Sequence, residues 1–181
     1  MSSQSLGWFR SFCVVAALSA AVVMTVAATA ERPASAPATQ AVSLAGGKLQ
    51  FTLKSVERRS LPGDSTMYFD QKTNRAIIVT EGPLPVDTGD ASDKAFDVAV
   101  ETLKEKQHAA SPNFQVVGER TTPVNGLKVY QLDATDDVNG MQLLMATMMA
   151  VNDRKIAVIE VMSDVKDPAG HAAAVKNILG K

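Results

Sequence analysis

The stretch "MQLLMATMMAV", residues 141–151, holds four methionines and no charge in eleven positions. Three objects fit such a run: a copper ligand set, a membrane segment, or the middle of a core. Read as a strand, it puts Met141, Leu143, Met145, Thr147, Met149 and Val151 on one face and Leu144, Ala146, Met148 and Ala150 on the other, because strand side chains alternate with period two. Both faces are then apolar, which is the pattern of a strand covered on both sides. A membrane helix needs about 20 residues, so the run is too short. Thioethers do suit copper(I). But Met141, Met145 and Met149 would be strung along one strand at about 3.3 Å per residue, unable to converge on one ion without a bulge. Methionine also fills irregular core gaps well. The stretch is therefore read as core, with no metal and no cofactor expected.

Working outward, turn signals bracket this strand. Asn139-Gly140 precedes it and Asn152-Asp153 follows it. Asn125-Gly126 separates "FQVVGERT" (114–121) from "LKVYQLDATD" (127–136), and "RKIAVIEVMS" (154–163) closes the series. Asn-Gly suits the positive φ angles of a two-residue hairpin, so these four strands should pair antiparallel. Upstream, "KLQFTL" (48–53) alternates, with Leu49, Phe51 and Leu53 on one face. A polar loop, "KSVERRSLPGDS", is expected next, then short strands at "TMYFD" (66–70) and "RAIIVTE" (75–81), the latter apolar enough to be central. "GPLPVDTG" breaks the pattern. A helix capped by Asp90 or Ser92 follows, with Phe96, Ala99, Val100 and Leu103 inward and Lys94, Asp97, Glu101, Lys104 and Glu105 outward, stopping near His108. Asp167-Pro168 starts a last helix with Ala172, Val175, Leu179 and Ile178 on its apolar side, and Gly180 ends it. The fold class is α+β: a largely antiparallel sheet of six or seven strands packed with two helices, in one domain.

The first thirty residues read differently. Arg10 is their only charge, and an Ala/Val-rich run follows it to Ala28-Thr29-Ala30. A basic start, an apolar run and an A-x-A ending describe a secretory signal peptide cut after Ala30, with Ala28 and Ala30 at the cleavage site. The run is also long enough to anchor the chain in the inner membrane through residues 13–30 if it is left uncut, which would give weak membrane association. Cys13, the single cysteine, stands before the apolar run, so no lipid anchor is expected. Residues 31–43, rich in Ala and Pro, read as a disordered linker, and the domain as 44–181. Without the leader, 17 basic side chains face 19 acidic ones in 151 residues. No basic stripe appears, so no nucleic-acid partner is expected.

No catalytic constellation emerges. "SDVK" (163–166) fits the S-x-x-K of penicillin-recognising enzymes but lacks a helix start and partner motifs. "AGGK" (45–48) lacks the spacer and hydroxyl of a phosphate loop, and Gly46-Gly47 reads as a bend. "DATDDVNG" offers oxygens at Asp133, Thr135, Asp137 and Asn139, yet Val138 and Leu144 stand where a calcium loop wants Gly and Glu. His108 and His171 have no nucleophile beside them and are read as surface residues. "ERR" (57–59) reads as a solvated turn, and Phe114 and Tyr130 as core.

"LAGGKLQFTL" (44–53), "MYFDQKTNRAIIVTE" (67–81), "PNFQVVGERTTPVNGLKVYQLDA" (112–134) and the closing Asp-Pro helix together resemble the DcrB-like family of small exported proteins of Gram-negative bacteria. The resemblance spans about residues 44–179; Lys54 stands where the family has proline, so the first loop should differ. It implies a PsbP-like α/β/α sandwich and a place in the cell envelope, and carries no catalytic residues or cofactors. The expectation is a non-enzymatic periplasmic module with an unidentified envelope protein as partner. The alternative is a small-ligand or metal carrier using a pocket between sheet and helix.

Overall fold

The computed structural model describes residues 38–84, 93–138 and 140–181. The leader with Ala28 and Ala30, the linker up to residue 37, the helix caps Asp90 and Ser92, and Asn139 lie outside the described residues. Among the described residues, eight strands form one sheet: β1 Ala38–Leu44, β2 Leu49–Leu61, β3 Ser65–Asp70, β4 Arg75–Pro83, β5 Gln115–Val124, β6 Leu127–Val138, β7 Met141–Asn152 and β8 Lys155–Asp164. Helix α1, Asp93–Ala110, joins β4 to β5, and α2, Pro168–Ile178, follows β8. The strand order is β1-β2-β3-β4-β8-β7-β6-β5, with every neighbouring pair antiparallel. Two four-stranded meanders thus meet at β4 and β8, both centrally placed as their apolar sequences require.

The hairpin turns follow the sequence chemistry. Asn125 and Gly126 take φ of 48° and 77°, the paired positive values of a turn that matches strand twist. Between β7 and β8 the positive-φ pair is Asp153 and Arg154, at 48° and 61°, one position later than Asn152-Asp153. Asn152 instead ends β7 and ties down another loop: its Nδ2 donates to the Ala45 carbonyl at 3.1 Å.

Two expectations need correction. The linker 31–43 is not disordered throughout, because Ala38–Leu44 is strand β1, paired with β2 and burying Val42 and Leu44. Composition hid it, since only five residues alternate and the backbone pairing that holds them leaves no mark in sequence. The loop "KSVERRSLPGDS" is mostly strand, because β2 runs on to Leu61. A bulge explains the misreading. The β1–β2 register shifts between Ala38 and Gln40, opposite Ser55 with its φ of 57°. One extra residue there swaps the two faces, so the period-two signal breaks mid-strand. Beyond the bulge β2 leaves β1 and pairs with β3. "ERR" is accordingly strand, not turn. Glu57 is buried, bonded to Arg59 at 3.0 Å and to Gln71.

The bend at Ser55 carries β1 and the first half of β2 across one face of the sheet. Asn125 Nδ2, at the far edge of the sheet, donates to the Lys48 carbonyl at 3.0 Å, and Asn177 Nδ2 of α2 to that of Thr52 at 3.0 Å. Under this flap and α2 lies the larger core, with Phe51, Ile77, Met148, Ile159, Val175 and Ile178. On α2 the buried residues are Val175 and Ile178, with Leu179 buried just past its end, whereas Ala172 is exposed. The opposite face packs Phe96, Ala99 and Leu103 of α1 on Tyr130, Leu132, Met149 and Val158. The methionine strand lies between these layers: Met148 faces α2, Met149 faces α1, and residues 146–150 are all buried. Phe114 and Tyr130 are core, with 7% and 4% exposure.

Candidate functional site: a pocket at the end of α1

Helix α1 is shorter than the face it covers. It ends at Ala110, where Ser111-Pro112 stops it, while β6, β7 and β8 continue beyond. The uncovered sheet and the 110–114 turn enclose a pocket of about 250 Å³ lined by Gln107, Ser111, Phe114, Asp136, Leu143, Met145, Glu160 and Met162, among others.

Glu160 lies on β8 between Val158 and Met162 on the α1 side, with Ile78 of β4 and Thr147 of β7 as its cross-strand neighbours. It is an acid in an apolar strand. Burial pushes its carboxyl up from 4.5 to about 7, against a smaller downward pull from the Gln107 amide. Gln107 occupies the inward stripe of α1, four residues after Leu103, and is 7% exposed. Its Nε2 donates to Thr147 Oγ1 at 2.5 Å, and its Oε1 has no partner among the described residues. A buried carbonyl left without a donor is costly, so such atoms are rare and informative. Asp136, 8% exposed, is held in place by Ser111 Oγ at 2.7 Å and the Asp137 backbone N–H at 2.8 Å, both donating to Oδ1. The pocket therefore combines an apolar wall with two carboxyls, Glu160 and the hydrogen-bonded Asp136, a combination suited to holding and orienting a small molecule.

The residues singled out in sequence fall elsewhere. His171 is not a surface residue. It is half-buried, and its Nδ1 lies 3.0 Å from Ser163 Oγ. Ser163 is 0% exposed and also receives Arg75 Nε at 3.0 Å, while Arg75 Nη2 bonds Asp167, the N-cap of α2. The Ser–His contact thus belongs to a lock that pins α2 to the sheet: the hydroxyl is sealed from solvent and accepts from Arg75 on one of its two lone pairs. Lys166 of "SDVK" is exposed in the following turn. His108 is exposed and stacks edge-on against Phe114, 5.6 Å between centroids. Two of the oxygen donors of "DATDDVNG" are engaged, Asp133 by Arg120 and Gln131 and Asp137 by the Gly140 N–H, and Asn139 lies outside the described residues. Among the described residues no group of three metal-ligating side chains comes together, and no helix is long and apolar enough to cross a membrane.

The architecture has relatives among solved structures. The chain is similar to cyanobacterial PsbP (CyanoP) from Synechocystis sp. PCC 6803, with a TM-score of 0.56 at 13% identity, over 86% of this chain and 96% of that one. The fold is PsbP-like. A protein of unknown function from Pseudomonas aeruginosa, PA94, superposes with a TM-score of 0.50 at 14% identity, covering 77% of this chain and 92% of that one. A looser superposition, TM-score 0.42 at 15% identity, joins 82% of this chain to 83% of LpqN, a protein involved in cell envelope biogenesis of Mycobacterium tuberculosis. No protein-family model matches the sequence, and no curated protein matches it either. At these identities the likeness concerns the fold alone.

Glu160, Gln107 and Asp136 were missed in sequence, although two of them left a signal. Glu160 is the one acid on the α1-facing side of "RKIAVIEVMS", and Gln107 is the one polar residue continuing the Phe96–Ala99–Leu103 stripe. A polar residue in an otherwise apolar row is either mispaired or functional.

Proposed function

We propose that the protein is a non-enzymatic, exported component of the cell envelope, of the DcrB-like kind, and that it works by binding a small ligand in the pocket at the end of α1. The observation that carries this reading is the pocket wall itself: the Glu160 carboxyl and the Asp136 carboxyl, the latter fixed by Ser111 and the Asp137 N–H, beside Phe114, Leu143, Met145 and Met162. Export is supported by the leader ending at Ala30. The sealed Ser163 supports binding over hydrolysis. To test it, the tagged full-length chain is recovered from periplasmic extract, its intact mass is recorded, and small molecules released on denaturation are compared with those from an Ala110→Trp variant that fills the pocket mouth. A mass corresponding to cleavage near Ala30 and a compound released only by the parent are expected. A cytoplasmic chain of full mass, or identical extracts from the two proteins, would contradict the reading.

A second reading, docking of an envelope protein, is favoured by β5. It is an edge strand paired only to β6, and it exposes Val116 at 38% and Val117 at 70% beside a bulge. An open edge accepts an added strand. In-cell crosslinking compared with Val117→Lys tests it: a crosslinked envelope partner lost in the variant supports docking, and a crosslink pattern unchanged by it does not.

A further inference from the structure

We propose that in the uncut chain the apolar run of residues 13–30 packs on the α1 side of the sheet, over β3 and β4, and that cutting after Ala30 uncovers this face. Met67 of β3, Ile78 of β4 and Met162 of β8 form a buried cluster there, with Leu61, Ala76 and Met145 packed beside them. The first three are only 4%, 4% and 8% exposed. Every member is a strand residue. The pairing puts them on one face, since Met67 stands opposite Ile78, and Met162 opposite both Ala76 and Met145.

Side chains in one layer cannot seal one another from water. Their tips need a second layer laid over them. Helix α1 does not supply it, because its inward residues pack on Tyr130, Leu132, Met149 and Val158 of β6, β7 and β8. Met67 lies two strand spacings beyond β8, about 10 Å. A helix with its side chains is only about 10–12 Å across, so it reaches roughly 5–6 Å to either side of its axis. Helix α2 and the β1–β2 flap lie on the opposite face.

The cover therefore comes from outside the described residues, from 85–92 or from 1–37. The first stretch is too short. Leu84, just before it, is bonded to the Arg154 carbonyl at 2.7 Å, and Asp93, just after it, is paired with Lys128 at 3.1 Å. Both anchors stand at the end of the sheet where β7 turns into β8. The nine steps from Leu84 to Asp93 reach at most about 32 Å, and crossing from β4 to β6 takes up about 14 Å of that. A loop so tethered dips no more than about 14 Å down the sheet. Ile78 lies six residues back from Leu84, about 20 Å at roughly 3.3 Å per residue, and Met162, level with Ala76, lies further still.

Residues 1–37 have both the reach and the chemistry. Ala38 pairs with Val56, next to the free edge formed by the second half of β2. The eight steps back to Ala30 extend up to about 29 Å. That is enough to round the edge, because β3 and β4 are one and two strand spacings inside it, about 5 and 10 Å. Residues 13–30 carry no charge, whereas 85–92 hold Asp87 and Asp90. The face matches an uncharged occupant. Its charges stand at the rim, where Arg59 lies 6.0 Å over the Phe69 ring and bonds Glu57 at 3.0 Å. Packing the run on this face removes two apolar surfaces of one chain from water at once.

The test is methionine oxidation by dilute hydrogen peroxide in the full-length, uncut chain, read peptide by peptide. Met67 should oxidise as slowly as Met148, which is 1% exposed under α2. Val22→Asp puts a charge in the middle of the run and should speed Met67 at least about tenfold while leaving Met148 slow. The chain that starts at Glu31 should behave as Val22→Asp does. A benzophenone side chain at position 22 of the uncut chain should crosslink, within one molecule, to the peptide holding residues 65–83. Met67 equally protected in all three proteins overturns the proposal, and so does Met67 equally open in all three. Protection in the Glu31 chain that vanishes on dilution makes a second copy the cover and overturns it as well. If Met148 also opens in the Glu31 chain, that chain has lost its fold, and Val22→Asp and the crosslink decide. The ligand pocket stands or falls separately, on the Ala110→Trp extracts.

Discussion

Glu160→Gln should make the protein more stable, and only above a defined pH. Glu160 is ringed by Ile78, Thr147, Val158 and Met162, and burial raises its carboxyl from 4.5 to about 7 in the folded state. The folded protein therefore binds this proton more tightly than the unfolded chain does. The contribution to stability is greatest below about pH 4.5, falls as pH rises from 4.5 through 7, and is flat beyond. At 1.36 kcal/mol per pKa unit, the full fall is about 3 kcal/mol. Glutamine has the same shape and no proton to lose. The variant and the parent should thus be nearly equal at pH 4, and the variant should lead by up to about 3 kcal/mol at pH 8. Urea unfolding at five pH values between 4 and 8 measures this, provided the slope m stays constant, so that the midpoint reports stability. A variant equal to or weaker than the parent at pH 8, or a difference that does not change with pH, would refute the desolvation of the Glu160 carboxyl on the pocket wall.

Other outcomes follow from the same structure. Burial lowers the His171 imidazole below 6.5, so the unfolded chain takes up that proton first and stability falls as pH drops below about 6.5; His171→Gln should remove this slope, seen in thermal midpoints between pH 5 and 7. Met148→Ala, at a site 1% exposed under α2, should cost roughly 2–5 kcal/mol in urea unfolding, whereas Met141→Ala at the mouth of the β6–β7 hairpin should cost less than about 1 kcal/mol. Copper(I) titrated against a competing chelator should show no sub-micromolar site. Binding of that strength, lost in Met145→Leu, would overturn the packing account of the methionine strand.

The parts of the fold that were legible are those fixed by short-range patterns. Residues 141–151 announce two-sided burial because both parities are apolar, and Asn125-Gly126 announces its hairpin because few residue pairs accept two positive φ angles. The inward stripe of α1 was readable from Phe96 to Leu103 for the same reason. Long-range pairing was not readable. β1 is held by β2, and the continuation of β2 past Ser55 was masked by a bulge that reverses its faces. His171 looked solvent-facing because its partners, Ser163 and Arg75, are 8 and 96 positions away in a chain that had not yet been folded. The pocket was invisible for a related reason. It arises from the mismatch between the end of α1 and the longer strands beneath it, and its acceptors come from α1, β6 and β8. Glu160 and Gln107 each broke an apolar row, which marked them as unusual, but only the folded geometry puts them on the same cavity wall.

The central claim is that the cavity at the end of α1 is a binding site. It is tested most directly by thermal unfolding of the exported protein against a collection of small molecules at pH 8, run beside Ala110→Trp. A ligand at 100 times its Kd adds about 2.7 kcal/mol, or several degrees for a domain of this size at roughly 2–4 °C per kcal/mol. The account predicts at least one compound that raises the parent midpoint by that much and leaves Ala110→Trp unmoved. If no compound shifts the parent, or if every shift is the same in both proteins, the cavity is not the site of function.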